Sequence, residues 1–251
     1  MTTTEQNLDM ATASVADIAL HFPQSIAVFN EYNIDYCCNG KKSFAKVCEK
    51  ANLQPQTIWN EIQERQRNSS GDNLLHFETW DLSLLIDFII QHHHKYVRES
   101  IPQIDSLLNK VCAKHGADQP QLFAIRKDFQ ELADELMGHL PKEEGILFPA
   151  IKRLVNNKDT GGLNLSSPVS VMEHEHEVAG KLIKSIRSLS NDYIPHANAC
   201  LSFQMTYKLL QEFENDLMQH IHLENNILFP KALKFAQSDN YQVASSCQIP
   251  N

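Results

Sequence analysis

The stretch His139-Leu-Pro-Lys-Glu143-Glu-Gly-Ile-Leu-Phe-Pro149 recurs as His220-Ile-His-Leu-Glu224-Asn-Asn-Ile-Leu-Phe-Pro230. His, Glu, Ile, Leu, Phe and Pro fall at the same offsets, six of eleven positions. Agreement of this kind marks two copies of one structural unit. Each copy also has a histidine upstream at a matching distance: His94 lies 45 residues before His139, and His176 lies 44 before His220. Residues four apart stand one above the other on a helix. His139 and Glu143 therefore point the same way, as do His220 and Glu224. If both faces turn inward, four histidines and two carboxylates converge. Two unpaired carboxylates buried there would cost several kcal/mol each, and metal cations remove that cost.

The surroundings of the repeat read as helix. The chain has 251 residues, 42% of them hydrophobic, and only 8 glycines, while strand-like alternation is scarce. Four long helical patterns run over about 79–112, 121–155, 169–190 and 197–235. Helices joined this closely form an antiparallel four-helix bundle. A polar break separates the second from the third. Upstream, residues 13–67 carry short helices. Pro23 and Pro55 can start two of them, and Ser43 can cap a third. Cys37-Cys38-Asn39-Gly40 reads as a turn, because Asn-Gly favours positive φ. The expected division is all-α: a small helical domain over 1–67, a polar linker over 68–78, the bundle over 79–236 and a loose tail over 237–251. Each Leu-Phe-Pro segment is expected to pack the core and to bend or end its helix.

Charge and hydropathy exclude several functions. A net charge of −9 is unsuited to nucleic acid, whose phosphates need a basic face. No run of about 18 apolar residues exists to span a membrane. The N-terminus lacks the basic start and apolar block of a signal peptide. A cytoplasmic protein is expected, with its six irregularly spaced cysteines as thiols.

Imidazole plus carboxylate, without thiolate, suits iron, manganese or zinc. Six ligands in a symmetric arrangement suggest a dinuclear site, with two histidines per metal and both glutamates bridging. An oxo or hydroxo bridge would bring each metal to five ligands and leave an octahedral ion one open position. That favours two irons over a closed structural zinc. The metal set is then His94, His139, Glu143, His176, His220 and Glu224. His92 and His93 are expected behind the ligands or exposed. His222, two residues from His220, is expected to face away at the surface. Glu135 and Asp216, one turn before His139 and His220, continue the inward stripe, and Glu175 adjoins His176. These acids are candidates for orienting a ligand or relaying protons.

With those residues in place, the chain resembles the iron–sulfur cluster repair di-iron protein family over about residues 13–235. Its N-terminal marker is Tyr32-Asn-Ile-Asp35-Tyr36-Cys37-Cys38-Asn-Gly40-Lys, and Asn39 stands where many members have glycine. The resemblance implies a cysteine-bearing domain followed by a haemerythrin-like domain. It places the di-iron ligands on the same six residues. It also implies a cytoplasmic stress protein that acts on iron–sulfur proteins damaged by nitric oxide or peroxide, with homodimers as a further expectation.

Cys37 and Cys38 are candidates for redox or iron transfer. Adjacent cysteines can form only a strained ring disulfide, and two buried thiols are the plain alternative. Cluster repair through a labile di-iron centre is the leading function. Reduction of nitric oxide to nitrous oxide is the enzymatic alternative, and an oxygen or nitric oxide carrier or sensor is a third. A purely structural bundle without metal is the fourth.

Overall fold

A computed structural model describes residues 12–68, 75–156 and 164–246, together with Leu8 and Met10, with side chains of the final helix described through Gln237. The chain divides into two compact units, Met1–Trp80 and Asp81–Asn251. Most of the polar linker core expected after Asn68 and part of the break after Asn156 lie outside the described residues.

The first unit is built from α1 (Val15–His21), α2 (Ser25–Glu31), α3 (Phe44–Lys50) and α4 (Pro55–Asn68). Ser14 and Asp17 form a reciprocal capping box at the start of α1, which satisfies two otherwise orphaned backbone donors. Pro55 opens α4, where a missing N–H costs nothing. Ser43 occupies the cap position of α3 without a side-chain hydrogen bond. The core is aromatic: Phe29 lies against Tyr36 and Phe44, and Trp59 against Phe22 and Phe44. Ser14 and Ser43 form an isolated bridge, and the described residues contain no β-strand.

The glycine of the Asn39-Gly40 turn serves closeness rather than a left-handed backbone, contrary to the expectation. Asn39 has no positive φ. A Cβ on Gly40 would lie 2.5 Å from the Tyr36 carbonyl oxygen and 2.8 Å from the Ala16 Cβ. That approach lets the Gly40 carbonyl accept the Ala16 N–H at 2.8 Å and ties the turn to α1.

The second unit is an antiparallel four-helix bundle. The first long helix comprises α5 (Leu82–Phe88), a π-helical segment (Ile89–His94) and α6 (Lys95–His115). The second comprises α7 (Gln121–Lys142), a π segment (Glu143–Leu147) and α8 (Phe148–Val155). The third is α9 (Ser166–Leu189). The fourth comprises α10 (Leu201–His222), a π segment (Leu223–Leu228) and α11 (Phe229–Ser246). Contacts close a ring, with α6 against α7 and α10, and α9 against α7 and α10. Ile104, Leu108, Phe129, Leu132, Ile183 and Phe213 fill the interior.

The Leu-Phe-Pro segments pack the core as expected, since Leu147, Phe148, Leu228 and Phe229 are buried. They do not end the helices. A proline ring in a regular helix collides with the carbonyl four residues back. Here a π segment stops just short of Pro149 and of Pro230, and the wider turn makes room for the ring. Helix α11 continues to Ser246, although the chain beyond residue 236 was expected to be loose. No glycine or proline occurs between Pro230 and Pro250 to break it.

Both tryptophans, Trp59 and Trp80, lie in the first unit, so tryptophan fluorescence reads its unfolding. Gly40→Ala is expected to destabilise that unit by about 1–3 kcal/mol through overpacking. A urea transition unchanged from that of the parent chain would contradict the role given to Gly40.

Candidate metal centre

Three of the four long helices widen into π segments at one level of the bundle, and these segments place the key side chains. His94 ends the first, Glu143 begins the second and Glu224 lies in the third. Such bulges recur at functional sites, because the extra residue per turn re-aims the side chains around it. His139 and His220 come from the last turns of α7 and α10, and His176 from the middle of α9.

The six residues converge. One donor atom each from His94, Glu143, His220 and Glu224 lies within 4.8 Å of the others, and the same holds for His139, Glu143, His176 and Glu224. Each half takes one histidine from each helical hairpin. His94 Nε2 stands 3.1 Å from His220 Nε2, and His139 Nε2 stands 3.1 Å from His176 Nε2. The carboxylates belong to both halves. Glu143 turns Oε2 to His94 at 3.4 Å and Oε1 to His139 at 3.2 Å. Glu224 turns Oε1 to His220 at 3.1 Å and Oε2 to His176 at 3.2 Å. Exposure is at most 3% for all six.

A second layer of contacts fixes three of the four imidazoles. His94 Nδ1 donates to Glu144 Oε1 at 2.7 Å, and Arg98 holds the same oxygen at 2.7 Å. His139 Nδ1 donates to Glu175 Oε2 at 2.7 Å, while Lys142 holds the other oxygen at 2.5 Å. His176 Nδ1 donates to Asn225 Oδ1 at 2.9 Å. Carboxylate and amide oxygens only accept, so Nδ1 carries a proton and Nε2 is the nitrogen left for a cation. Glu175 therefore does orient a histidine, but of a neighbouring helix.

Other expectations are corrected. Glu135 is exposed, because Leu132 and Leu136 take the inward positions of that stripe on α7. Asp216 bonds to His93 rather than to His220. His222 is 2% exposed rather than superficial. The far side of the fourth helix is covered at this level, with α5 against the adjoining π segment, and His222 Nδ1 lies 3.0 Å from Asn226 Nδ2. Glu144 and Asn225 were missed, yet they had a signal. Each directly follows the glutamate of its repeat, and each holds the upstream histidine of its own hairpin.

The donor set fits cations. Both Glu143 oxygens and Glu224 Oε2 are buried without a hydrogen-bond partner. Unsatisfied carboxylate oxygens are rare in protein interiors and call for a counter-ion. With metal–ligand bonds of about 2.1 Å, ligands at right angles stand about 3.0 Å apart, close to the spacing seen here. Protons are the competing counter-charge. Burial alone would lower His94, but Glu143 and Glu224 outweigh it and push its imidazole up to about 10. Burial likewise opposes protonation of His139, and Glu143 and Glu224 push it up to about 9. Burial raises Glu224, but His220, His176 and His94 hold it well below the usual carboxylate range. A divalent cation would replace these protons, so loading releases them.

The first unit holds a smaller cluster. Asp35 Oδ1 accepts the backbone N–H groups of Cys37, Cys38 and Asn39 at 3.3, 3.0 and 3.3 Å. The two sulfurs lie 3.4 Å apart and are not bonded. Cys37 is buried, and that burial pushes its thiol well up; Cys38 is partly exposed. One donor atom from each of Asp35, Cys37 and Cys38 lies within 4.8 Å of the others.

Residues 85–232 match the haemerythrin HHE cation-binding domain, and residues 11–66 match a domain of unknown function, DUF542. A probable iron-sulfur cluster repair protein of Haemophilus influenzae is 34% identical over 227 residues, covering 90% of this chain and 99% of that protein. The iron-sulfur cluster repair protein YtfE of Shigella boydii is 36% identical over 220 residues, covering 87% of this chain and 96% of its own. This chain belongs to the iron–sulfur cluster repair protein family. Its haemerythrin-like domain is a cation-binding domain, and its buried His/Glu groups could hold metal. No helix among the described residues is long and apolar enough to cross a membrane.

Glu144→Ala and Asn225→Ala are each expected to weaken iron binding by about 10–100-fold, the usual effect of removing an outer contact of a metal-bound histidine. Glu143→Ala and Glu224→Ala should lose more, and His222→Ala should lower stability with iron retained. Competition against a graded chelator reads all five. Equal losses for Glu143→Ala and His222→Ala would contradict the geometry.

Proposed function

We propose that the chain repairs iron–sulfur clusters damaged by nitrosative or oxidative stress, using iron held as a pair by His94, His220, His139, His176, Glu143 and Glu224. The single observation that carries this reading is the sharing of both buried carboxylates between two histidine pairs. Bound iron would supply a labile, redox-active metal. The chain supplies four donors to each half: two imidazoles and two carboxylate oxygens. An ion that prefers six ligands thus keeps positions for small molecules such as nitric oxide or oxygen. Glu144, Glu175 and Asn225 hold the rings of His94, His139 and His176 in register through the Nδ1 protons of those rings. Hydrophobic residues around the site exclude bulk water, which strengthens each electrostatic contact.

Cys38 is the accessible thiol of the first unit, and Cys37 is its buried neighbour. Two soft donors beside a carboxylate suit transfer of iron or of reducing equivalents to a client, a role the bundle's hard donors do not provide. The expected clients are damaged iron–sulfur proteins. The name carried by the relatives and the paired Cys37–Cys38 unit favour repair over simple carriage of oxygen or nitric oxide.

The test is recovery of a cluster enzyme inactivated by nitric oxide. Iron-loaded protein is expected to restore activity faster than an equal amount of free ferrous iron. Cys37→Ser/Cys38→Ser should slow recovery while leaving the iron content intact. Recovery no faster than with free iron would end the repair reading. Nitrous oxide formed by the diferrous protein without any repair would move the function to nitric oxide reduction.

A further inference from the structure

Three consecutive histidines end the first π segment, and only His94 turns to the paired centre. His93 is fully buried, and its Nδ1 donates to Asp216 Oδ1 at 2.9 Å. Its ring lies parallel to that of His220, with centroids 5.5 Å apart and planes at 6°. His92 is exposed, stacks on Phe88 and meets the His93 ring edge-on at 4.9 Å. One donor atom each from His92, His93 and Asp216 lies within 4.8 Å of the other two. His93 Nε2 and Asp216 Oδ2 are both buried and lack any hydrogen-bond partner.

We propose that His92, His93 and Asp216 form a third, mononuclear site for a divalent first-row transition metal, beside the paired centre and reached from solvent through His92. Two imidazoles and one carboxylate are the donor set that suits ferrous iron while leaving coordination positions open. An ion shared by His93 and Asp216 takes the place of the Nδ1 proton between them, and the unpartnered Asp216 Oδ2 offers it a further oxygen. The exposed His92 needs only a ring rotation to close on an ion held by the other two.

The location gives the site a role. The six donors of the paired centre are sealed from solvent, whereas this triad joins an exposed ring to a ring stacked on His220. It would hold ferrous iron on its way into or out of the pair. That role rests on the iron-donation reading above; the binding itself does not.

The test uses the full chain loaded with iron, freed of excess metal, and then equilibrated with zinc by dialysis. Metal analysis is expected to find one zinc per chain in addition to the iron. His92→Ala and Asp216→Asn should each weaken that zinc at least tenfold, with iron content and optical spectrum unchanged. Cys37→Ser/Cys38→Ser should keep it. Wild-type protein that takes up no added zinc would overturn the proposal. So would variants that bind zinc as the wild type does, or zinc that disappears with the two cysteines. If the chain retains no iron pair, the dinuclear reading fails separately. Zinc added to the metal-free wild type, His92→Ala and Asp216→Asn then still shows whether a site dependent on these residues exists.

Discussion

Glu143 and Glu224 place two carboxylates, fully buried, in the middle of an apolar helical bundle. Charges in such surroundings are tolerable only when opposite charge and directed contacts compensate them. Without metal, the imidazoles can do this only by taking up protons against the cost of burial. Cations satisfy the carboxylates and the imidazoles together. The rest of the site follows from that requirement. Three helices widen to aim their side chains at one level. Glu144, Glu175 and Asn225 lock three of the four rings from outside. Because each half draws one histidine from each hairpin, neither hairpin can bind a cation with its full donor set unless the other is packed against it.

Much of this was legible in the sequence because helical spacing turns a linear pattern into a face. His139 and Glu143 share a face by arithmetic alone, as do His220 and Glu224, and the matched upstream histidines complete the set. The crossed pairing of His94 with His220 and of His139 with His176 was not legible. It depends on how four helices are rotated about their axes, which a one-dimensional pattern does not specify. Glu135 shows the limit of extending a stripe by four residues: one turn away, Leu136 at a spacing of three holds the inward position instead. His222 shows the reverse error. The far side of a helix is a surface only where nothing covers it. The prolines were recognised as disruptive, but the relief they found in π segments depends on tertiary packing.

In the first unit, the sequence pointed to the adjacent cysteines and left their surroundings open. The decisive residue there is Asp35. By accepting three successive backbone N–H groups, its carboxylate orders the turn and brings both sulfurs to one side of it. Gly40 secures the same turn by allowing contact with α1. The chain carries two kinds of donor set: hard, buried nitrogen and oxygen donors in the bundle, and soft sulfur donors, one of them partly exposed, in the smaller unit. That contrast suits the proposed repair, in which iron held by nitrogen and oxygen passes to a sulfur-rich cluster.

The central claim is that the shared carboxylates hold an iron pair. Iron content together with the Mössbauer spectrum of the iron-loaded chain tests it most directly. The account predicts two irons per chain, both with nitrogen and oxygen ligation and magnetically coupled. A single uncoupled iron, sulfur-ligated iron as the main species, or stable retention of no iron at all would contradict it.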